Sequence, residues 1–179
     1  MSDSDPKSTN KQICVDLTKK TTTKDVKLEK PKRKRIITDT SKWTDALLES
    51  NIDDIANDMS TSPFVLMVHK QVRSKICGYA SQDRLKRLFC EEEFVNINDV
   101  LELFKTSELK CYYCKEVTEL MYEYVREPKQ WTLERLDNSI GHNRGNVVIA
   151  CLRCNLRRRC MASDKYVKTK EMSKIVKLA

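Results

Sequence analysis

Two Cys-x-x-Cys pairs constrain this chain more than any other feature of its sequence. Cys111 pairs with Cys114, and Cys151 pairs with Cys154. Two intervening residues let both thiols of a pair reach one ion, and two such pairs supply the four sulfur ligands of a structural Zn²⁺ site. Because four thiolates leave no open coordination position, the predicted zinc stabilises the fold and performs no chemistry. The 36 residues between the two pairs would form an insertion within this zinc-stapled unit.

The cellular setting also favours metal over disulfides for these thiols. The N-terminus has no apolar signal region, and no apolar run is long enough to cross a bilayer. We therefore expect a soluble, intracellular protein without a membrane partner, and disulfides are rare in that setting. The chain has eight cysteines, and the other four have no partner at metal-binding spacing: Cys14, Cys77, Cys90 and Cys160.

The net charge of +8 is concentrated at the two ends of the chain. Residues 1 to 35 carry a balance of +6, residues 36 to 109 carry −5, and residues 110 to 179 carry +7. Basic ends favour binding to a polyanion, because neutralising phosphates releases counterions. The acidic middle is a poor candidate for contact with a phosphate backbone.

The N-terminal region, residues 1–38, is predicted to be a disordered basic tail, since it is polar and lacks hydrophobic periodicity. Its densest part runs from Lys30 to Arg35 and alternates little with other residue types. Such a run is typical of a nuclear-localisation or DNA-tethering segment, and equally of a solvated tail. A nuclear location is therefore one of two interpretations.

Residues 39–107 are predicted to be a helical region. Apolar residues recur at helical spacing from about 41 to 60, and further helices are predicted to begin at Ser62, Ser81 and Asn98. Pro63 fits the first turn of the second helix, where its missing N–H costs nothing. His69 within that helix is expected to be structural.

Residues 108–179 change to a strand, loop, strand, helix pattern. Residues 130–136 and 146–150 read as short strands, and the segment between them has loop chemistry. A helix is predicted after Cys151, and a closing helix over residues 164 to 177. The predicted fold class is therefore α+β.

The segment from Trp131 to Asn155 resembles the core of an HNH endonuclease, also called a His-Me or ββα-metal finger. The resemblance is carried by an Asp-Asn pair, then Gly141, then Asn146-Val147-Val148 before Cys-x-x-Cys-Asn. It is closest to the zinc-containing branch that includes recombination endonuclease VII, and it covers residues 108 to 162, about a third of the chain. The resemblance implies a small zinc-stapled ββα-metal finger, preceded by the helical region and the disordered basic tail.

The resemblance also implies roles for individual residues. Asp137 and Asn155 would bind a catalytic Mg²⁺ or Mn²⁺ on the scissile phosphate, because oxygen donors suit these hard cations. Asn146 would tie the loop to the finger by hydrogen bonds to the backbone. Asn138 occupies the position where many HNH proteins have the general-base His, and an amide cannot accept a proton.

His142 is the only histidine in this segment, and its ordinary pKa suits a base near neutral pH. It is a candidate for the general base or for a residue that orients the water. Two alternatives stay open: a loop histidine that contacts the phosphate backbone, and a weak or inactive nuclease.

Arginines surround the predicted site, and their planar guanidinium groups suit phosphate oxygens. Arg135 would brace the phosphate beside the metal, or be a solvated strand residue. The predicted nucleic-acid contacts are Arg144, Arg153, Arg157 and Arg158.

The predicted function is a divalent-metal-dependent DNA endonuclease acting on duplex or branched DNA. The alternatives are a zinc-finger DNA-binding module that does not cleave and, with less support, a protein-interaction adaptor that works through its acidic middle. Cutting both strands with one finger would need a homodimer, which stays open because the sequence carries no dimerisation signal.

Overall fold

The computed structural model describes residues 31–35, 55 and 62–173. Those from Lys32 onward belong to one compact unit. The predicted helix over 41 to 60 lies outside the described residues except for Ile55, and Cys14 and residues 1 to 30 of the predicted tail also lie outside them. Within the described part the protein is α+β, with four helices and one two-stranded antiparallel sheet. None of the described helices is long and apolar enough to cross a membrane.

Helix α1 spans Pro63–Leu85 and follows Ser62 with proline in its first turn, as predicted. Its buried residues include Phe64, Val65, Val68 and Val72. The prediction that a new helix begins at Ser81 is wrong, because α1 continues through it. The Ser81 hydroxyl donates back to the Cys77 carbonyl at 3.0 Å within the helix instead of capping a new one.

Helix α2 spans Ile97–Ser107 and is fixed at its start by a capping box. The Asn96 side chain accepts from the backbone N–H of Asn98 and Asp99, and the Asp99 carboxylate accepts from the Asn96 N–H at 2.8 Å. The predicted start at Asn98 is confirmed to within one residue. Val100, Leu101 and Phe104 are buried.

Strands β1 (Trp131–Arg135) and β2 (Val147–Cys151) pair antiparallel, with Trp131 opposite Cys151. Helix α3 (Leu152–Arg158) follows β2 directly and contacts both strands. The predicted strand, loop, strand, helix order is thus confirmed. Trp131 is fully buried and packs edge-on against Phe104 at a centroid distance of 4.8 Å, so the hairpin and α2 share one core.

Helix α4 spans Ser163–Met172, so it begins one residue before the predicted closing helix of residues 164 to 177 and overlaps it. Its buried residue is Tyr166. Val167 is partly buried against the same cluster as Tyr166, and residues 174 to 177 of the predicted helix lie outside the described residues.

The end of the basic run is paired with the folded body. Lys34 forms an antiparallel bridge with Tyr124, the Arg35 N–H donates to the Glu123 carbonyl at 3.0 Å, and Lys34 forms an ion pair with Glu123. The Arg35 guanidinium lies 4.3 Å from the ring centroid of Tyr122. Lys34 and Arg35, which lie in the predicted tail, therefore pack within the compact unit that begins at Lys32.

Candidate functional site

The four paired cysteines converge on one point. Their sulfur atoms all lie within 4.8 Å of one another, and the Cys114 and Cys151 sulfurs are 3.9 Å apart. A tetrahedral Zn²⁺ with Zn–S bonds of about 2.3 Å separates its sulfurs by roughly 3.8 Å. Among the described residues, this is the one group of three or more His, Cys, Asp or Glu side chains that could hold a metal ion. The cluster could bind a metal such as Zn²⁺, as the spacing predicts.

Local backbone geometry brings the two pairs together. The first pair lies in a turn after α2 in which the Lys115 N–H donates to the Cys111 carbonyl at 2.9 Å and Lys115 adopts a φ of +62°. The second pair spans the end of β2 and the first turn of α3, and the Cys154 N–H donates to the Cys151 sulfur at 3.4 Å. The Tyr112 N–H donates to the Ile149 carbonyl at 2.8 Å, which joins the first turn to β2.

Aromatic residues surround the cluster. Tyr113 and Tyr166 are buried against the cysteines, and their ring centroids are 4.9 Å apart. Helix α4 therefore covers the cluster through Tyr166. Because Tyr113 is buried, we expect it to pack around the cysteines.

The loop between the strands is organised by Asn146. Its side-chain oxygen accepts from the Asp137 N–H at 2.9 Å, and its amide donates to the carbonyls of Asp137 at 3.0 Å and Gly141 at 2.9 Å. These are side-chain-to-backbone contacts of the kind predicted for Asn146. They close the loop, whose Gly141 and His142 lie against Asp83 of α1.

His142 is held by a carboxylate from α1. Its backbone N–H donates to Asp83 Oδ2 at 2.6 Å, and its ring Nδ1 lies 2.9 Å from Asp83 Oδ1. Asp83 is fully buried, His142 is buried, and the Tyr79 ring stacks on the imidazole at 4.4 Å between centroids. Burial lowers the pKa of His142, the Asp83 contacts raise it, and the charges of Arg135 and Lys86 lower it further.

Gly141 is required for this approach. A Cβ at Gly141 would lie 2.5 Å from the Leu88 carbonyl oxygen and 2.9 Å from Asp83 Oδ2. Since the nearest of these atoms belongs to the backbone, a side chain here would push the loop away from the end of α1. The glycine in the predicted motif therefore serves the contact between the loop and α1.

A cleft of about 310 Å³ opens between α1 and the finger, here defined as β1, β2, their loop and α3. Asn138, His142 and Asn155 line it, so the structure brings these three predicted residues together. Lys86, Arg135 and Arg159 also line it and give it a cationic character. The cleft residues are Tyr79, Gln82, Lys86, Leu133, Glu134, Arg135, Asn138, His142, Asn155, Leu156 and Arg159.

Asp137 lies outside the residues that line the cleft. Its exposed carboxylate accepts from the Ser139 N–H at 2.8 Å and the Ser139 hydroxyl at 2.7 Å, both at Oδ1. These two hydrogen bonds lower the pKa of Asp137 and keep it ionised at neutral pH. Asn155 donates its amide Nδ2 to Thr132 Oγ1 at 3.2 Å, which leaves its amide oxygen for another partner.

Arg158 forms a buried ion pair with Glu134. One guanidinium nitrogen contacts the Glu134 carboxylate and lies 3.3 Å from Asn138 Oδ1, and the other donates to the Leu136 carbonyl at 2.8 Å. The Arg158 side chain is 1% exposed. This burial corrects the prediction that Arg158 contacts nucleic acid, because its guanidinium is enclosed by the finger.

The other predicted arginines have different environments. Arg144 forms an ion pair with Asp99 at 3.3 Å, Arg153 forms one with Glu116 at 2.8 Å, and Arg157 is exposed on α3. Arg135 lines the cleft, where its guanidinium donates to the Asn138 and Ile140 carbonyls at 3.2 and 3.0 Å.

Sequence reasoning missed Asp83 and Lys86, both at the end of α1. They lie in a region whose net negative charge argued against contact with nucleic acid, and their relation to the finger depends on how α1 packs. No motif within the finger signals them.

Comparison of this sequence with protein-family models, with curated proteins and with solved structures finds no match.

Proposed function

We propose that this chain is an HNH-type, divalent-metal-dependent endonuclease that hydrolyses phosphodiester bonds in DNA. The observation that carries the proposal is one cleft that contains a histidine, His142, the amide of Asn155 and three cationic side chains. The cleft lies on a strand, loop, strand, helix unit next to a four-cysteine cluster suited to structural zinc. A titratable group with a shifted pKa in a charged cleft is a physical reason to look for catalysis there.

The three cations provide the phosphate contacts in this proposal. Lys86 directly follows α1, Arg135 lies on β1, and Arg159 directly follows α3, so the three cations come from different elements. A phosphate that enters the cleft meets positive charge from each of these elements. The proposed phosphate contacts in the cleft are therefore Lys86, Arg159 and the predicted Arg135, and Arg158 is not among them.

His142 acts as the general base. Its lowered pKa keeps the imidazole neutral at neutral pH, so a ring nitrogen can accept a proton. As the water oxygen bonds to phosphorus, its proton passes to His142 and the bond from phosphorus to the 3′-oxygen breaks. The leaving oxygen takes a proton from solvent, and the products are a 5′-phosphate and a 3′-hydroxyl.

The donor set available for the catalytic cation consists of hard oxygen atoms. Asn155 offers an amide oxygen in the cleft, and Asp137 offers an ionised carboxylate whose Oδ2 accepts no bond from Ser139. Both suit Mg²⁺ or Mn²⁺, which would stabilise the negative charge on the phosphate oxygens and the leaving oxygen. Asp137 and Asn155 are the residues that would hold it.

The test is a cleavage panel of purified zinc-containing protein with plasmid, branched and single-stranded DNA in Mg²⁺ or Mn²⁺. We expect cleavage by the wild type and a large loss of rate in Asp137→Ala and in Asn155→Ala. Glu116→Gln is the control, because Glu116 pairs with Arg153 on an exposed surface away from the cleft. No cleavage of any substrate, or equal rates in all four proteins, contradicts the proposal.

The second candidate function is a DNA-binding module that does not cleave. The position of Asp137 outside the cleft-lining residues favours it, because the predicted cation would then lack a carboxylate ligand at the cleft. Under this alternative, salt-dependent DNA binding survives Asp137→Ala, and no metal supports cleavage.

A further inference from the structure

We propose that Asp83 is a positioning residue for His142, which it holds in the tautomer that carries the proton on Nδ1 and leaves Nε2 able to accept one. The inference rests on the proposed function, since it assigns the atom of His142 that does the chemistry. It also places a residue of the helical region, outside the HNH-like segment, in the working site.

The geometry of the contact fixes the tautomer. A carboxylate only accepts hydrogen bonds, and both Asp83 oxygens lie within 3.0 Å of His142 Nδ1. Nδ1 must therefore carry the proton, and in the neutral imidazole Nε2 is then the unprotonated nitrogen. His142 lines the cleft, so this nitrogen is the one that remains for a water in the cleft.

The contact is also rigid. Asp83 Oδ2 accepts the His142 backbone N–H at 2.6 Å, so the same carboxylate binds the main chain and the ring. The His142 carbonyl accepts from the Val95 N–H at 3.1 Å, and Gly141 permits close approach to the Leu88 carbonyl. Asp83 and Val95, both from the region before the finger, thus bond to His142, and Leu88 lies against the neighbouring Gly141.

The charged and titratable groups around the imidazole act in opposite directions. On α1 and just beyond its end, Asp83 stabilises the imidazolium, Lys86 disfavours it, and Tyr79 stacks on the ring. On β1, Arg135 also disfavours the imidazolium. Removing the Asp83 charge leaves only groups that lower the pKa of His142, so the acid limb of a pH–rate profile should shift to lower pH.

The first experiment compares Asp83→Asn with Glu93→Gln. Glu93 is a matched control, because its carboxylate accepts from the Asn143 amide at 2.8 Å and so anchors the same loop without touching His142. We expect Asp83→Asn to lower kcat at least about 100-fold, since an amide can donate to Nδ1 and put the proton on Nε2. We expect the residual activity to have its acid limb at lower pH, and Glu93→Gln to keep the wild-type limb.

A double-mutant comparison separates positioning from folding. In the His142→Ala background, Asp83→Asn should lower kcat no further, because a residue that acts through His142 has nothing left to act on. Additive losses, or a pH limb that moves equally in Asp83→Asn and Glu93→Gln, overturn the assignment.

A second measurement does not depend on cleavage. NMR of labelled histidine ring nitrogens reports both tautomers, and the chain has two histidines. His69 provides an internal reference, because its Nε2 lies 2.8 Å from the Ile55 carbonyl, which only accepts, and so must be protonated. We expect the proton on Nδ1 of His142 in the wild type and on Nε2 in Asp83→Asn.

The nuclease proposal and the Asp83 assignment can be contradicted independently. A wild-type protein that cleaves nothing, but whose His142 carries the proton on Nδ1, contradicts the nuclease and retains the Asp83 contact. A wild-type His142 with its proton on Nε2 overturns the inference about Asp83, whatever the activity.

Discussion

Replacing Arg158 with methionine tests most sharply whether this arginine belongs to the interior or to the DNA-binding surface. Its side chain is 1% exposed, and its partner Glu134 is 7% exposed. Arg158→Met leaves a buried carboxylate without its counter-charge and removes the donors to Asn138 Oδ1 and the Leu136 carbonyl. Breaking a buried pair from one side costs about 3–5 kcal/mol of unfolding free energy. We therefore expect the melting temperature to fall by roughly 6–20 °C.

The assay is chemical denaturation at fixed zinc and several pH values, with two matched variants. Arg157→Met removes the exposed neighbouring arginine and should change the unfolding free energy by at most about 0.5 kcal/mol. Replacing Glu134 and Arg158 together with methionine should recover most of the loss, because no unpaired charge stays buried.

The pH dependence follows from Glu134. Burial raises the pKa of this carboxyl, and Arg158 opposes the increase. Without Arg158 the folded-state pKa rises further above its unfolded value, so the destabilisation is complete above the folded-state pKa. It diminishes as the pH falls through that pKa and Glu134 becomes neutral. A variant as stable as Arg157→Met, or a loss that grows toward acid pH, refutes the reasoning.

Three further outcomes are expected from the same structure. Cys154→Ser should lose the zinc, about one equivalent by metal analysis, whereas Cys160→Ser, exposed and outside the cluster, should retain it. Gly141→Ala should destabilise the fold by about 1–3 kcal/mol because its Cβ meets backbone, whereas Gly78→Ala in open space within α1 should stabilise it by about 0.5–1 kcal/mol, both measured by denaturation. Arg159→Ala should make the slope of log K against log salt for DNA binding less steep by about one, measured in titrations at several salt concentrations. An unchanged slope would show that Arg159 does not contact the DNA phosphates.

The features that the sequence predicts well are those encoded locally. The spacing of the cysteines predicts their convergence, and β-forming residues between turn residues predict the two strands to within a residue at each end. Pro63 after Ser62 is a start signal whose effect is complete within one helical turn, and the start predicted at Asn98 lies one residue from the observed start at Ile97. Ser81 gives the same kind of signal inside a longer helix, where its hydroxyl donates to a carbonyl of the preceding turn and no new helix begins.

The features that the sequence does not predict depend on packing between distant segments. Asp83 and His142 are separated by 59 positions, and neither carries a motif that names the other. Arg158 follows an exposed arginine in a basic run, and only the helical phase of α3 against β1 decides that it is buried beside Glu134. The net negative charge of residues 36 to 109 gave no indication of Lys86, because a negative sum does not exclude one cation at the end of a helix.

The most direct test of the central claim is the rate of DNA cleavage by His142→Ala relative to wild type, in Mg²⁺ or Mn²⁺ and with zinc content and DNA binding measured on the same preparations. The account predicts that the variant keeps its zinc and its DNA affinity while its cleavage rate falls at least about 100-fold. Cleavage at the wild-type rate by a zinc-containing His142→Ala protein would contradict it.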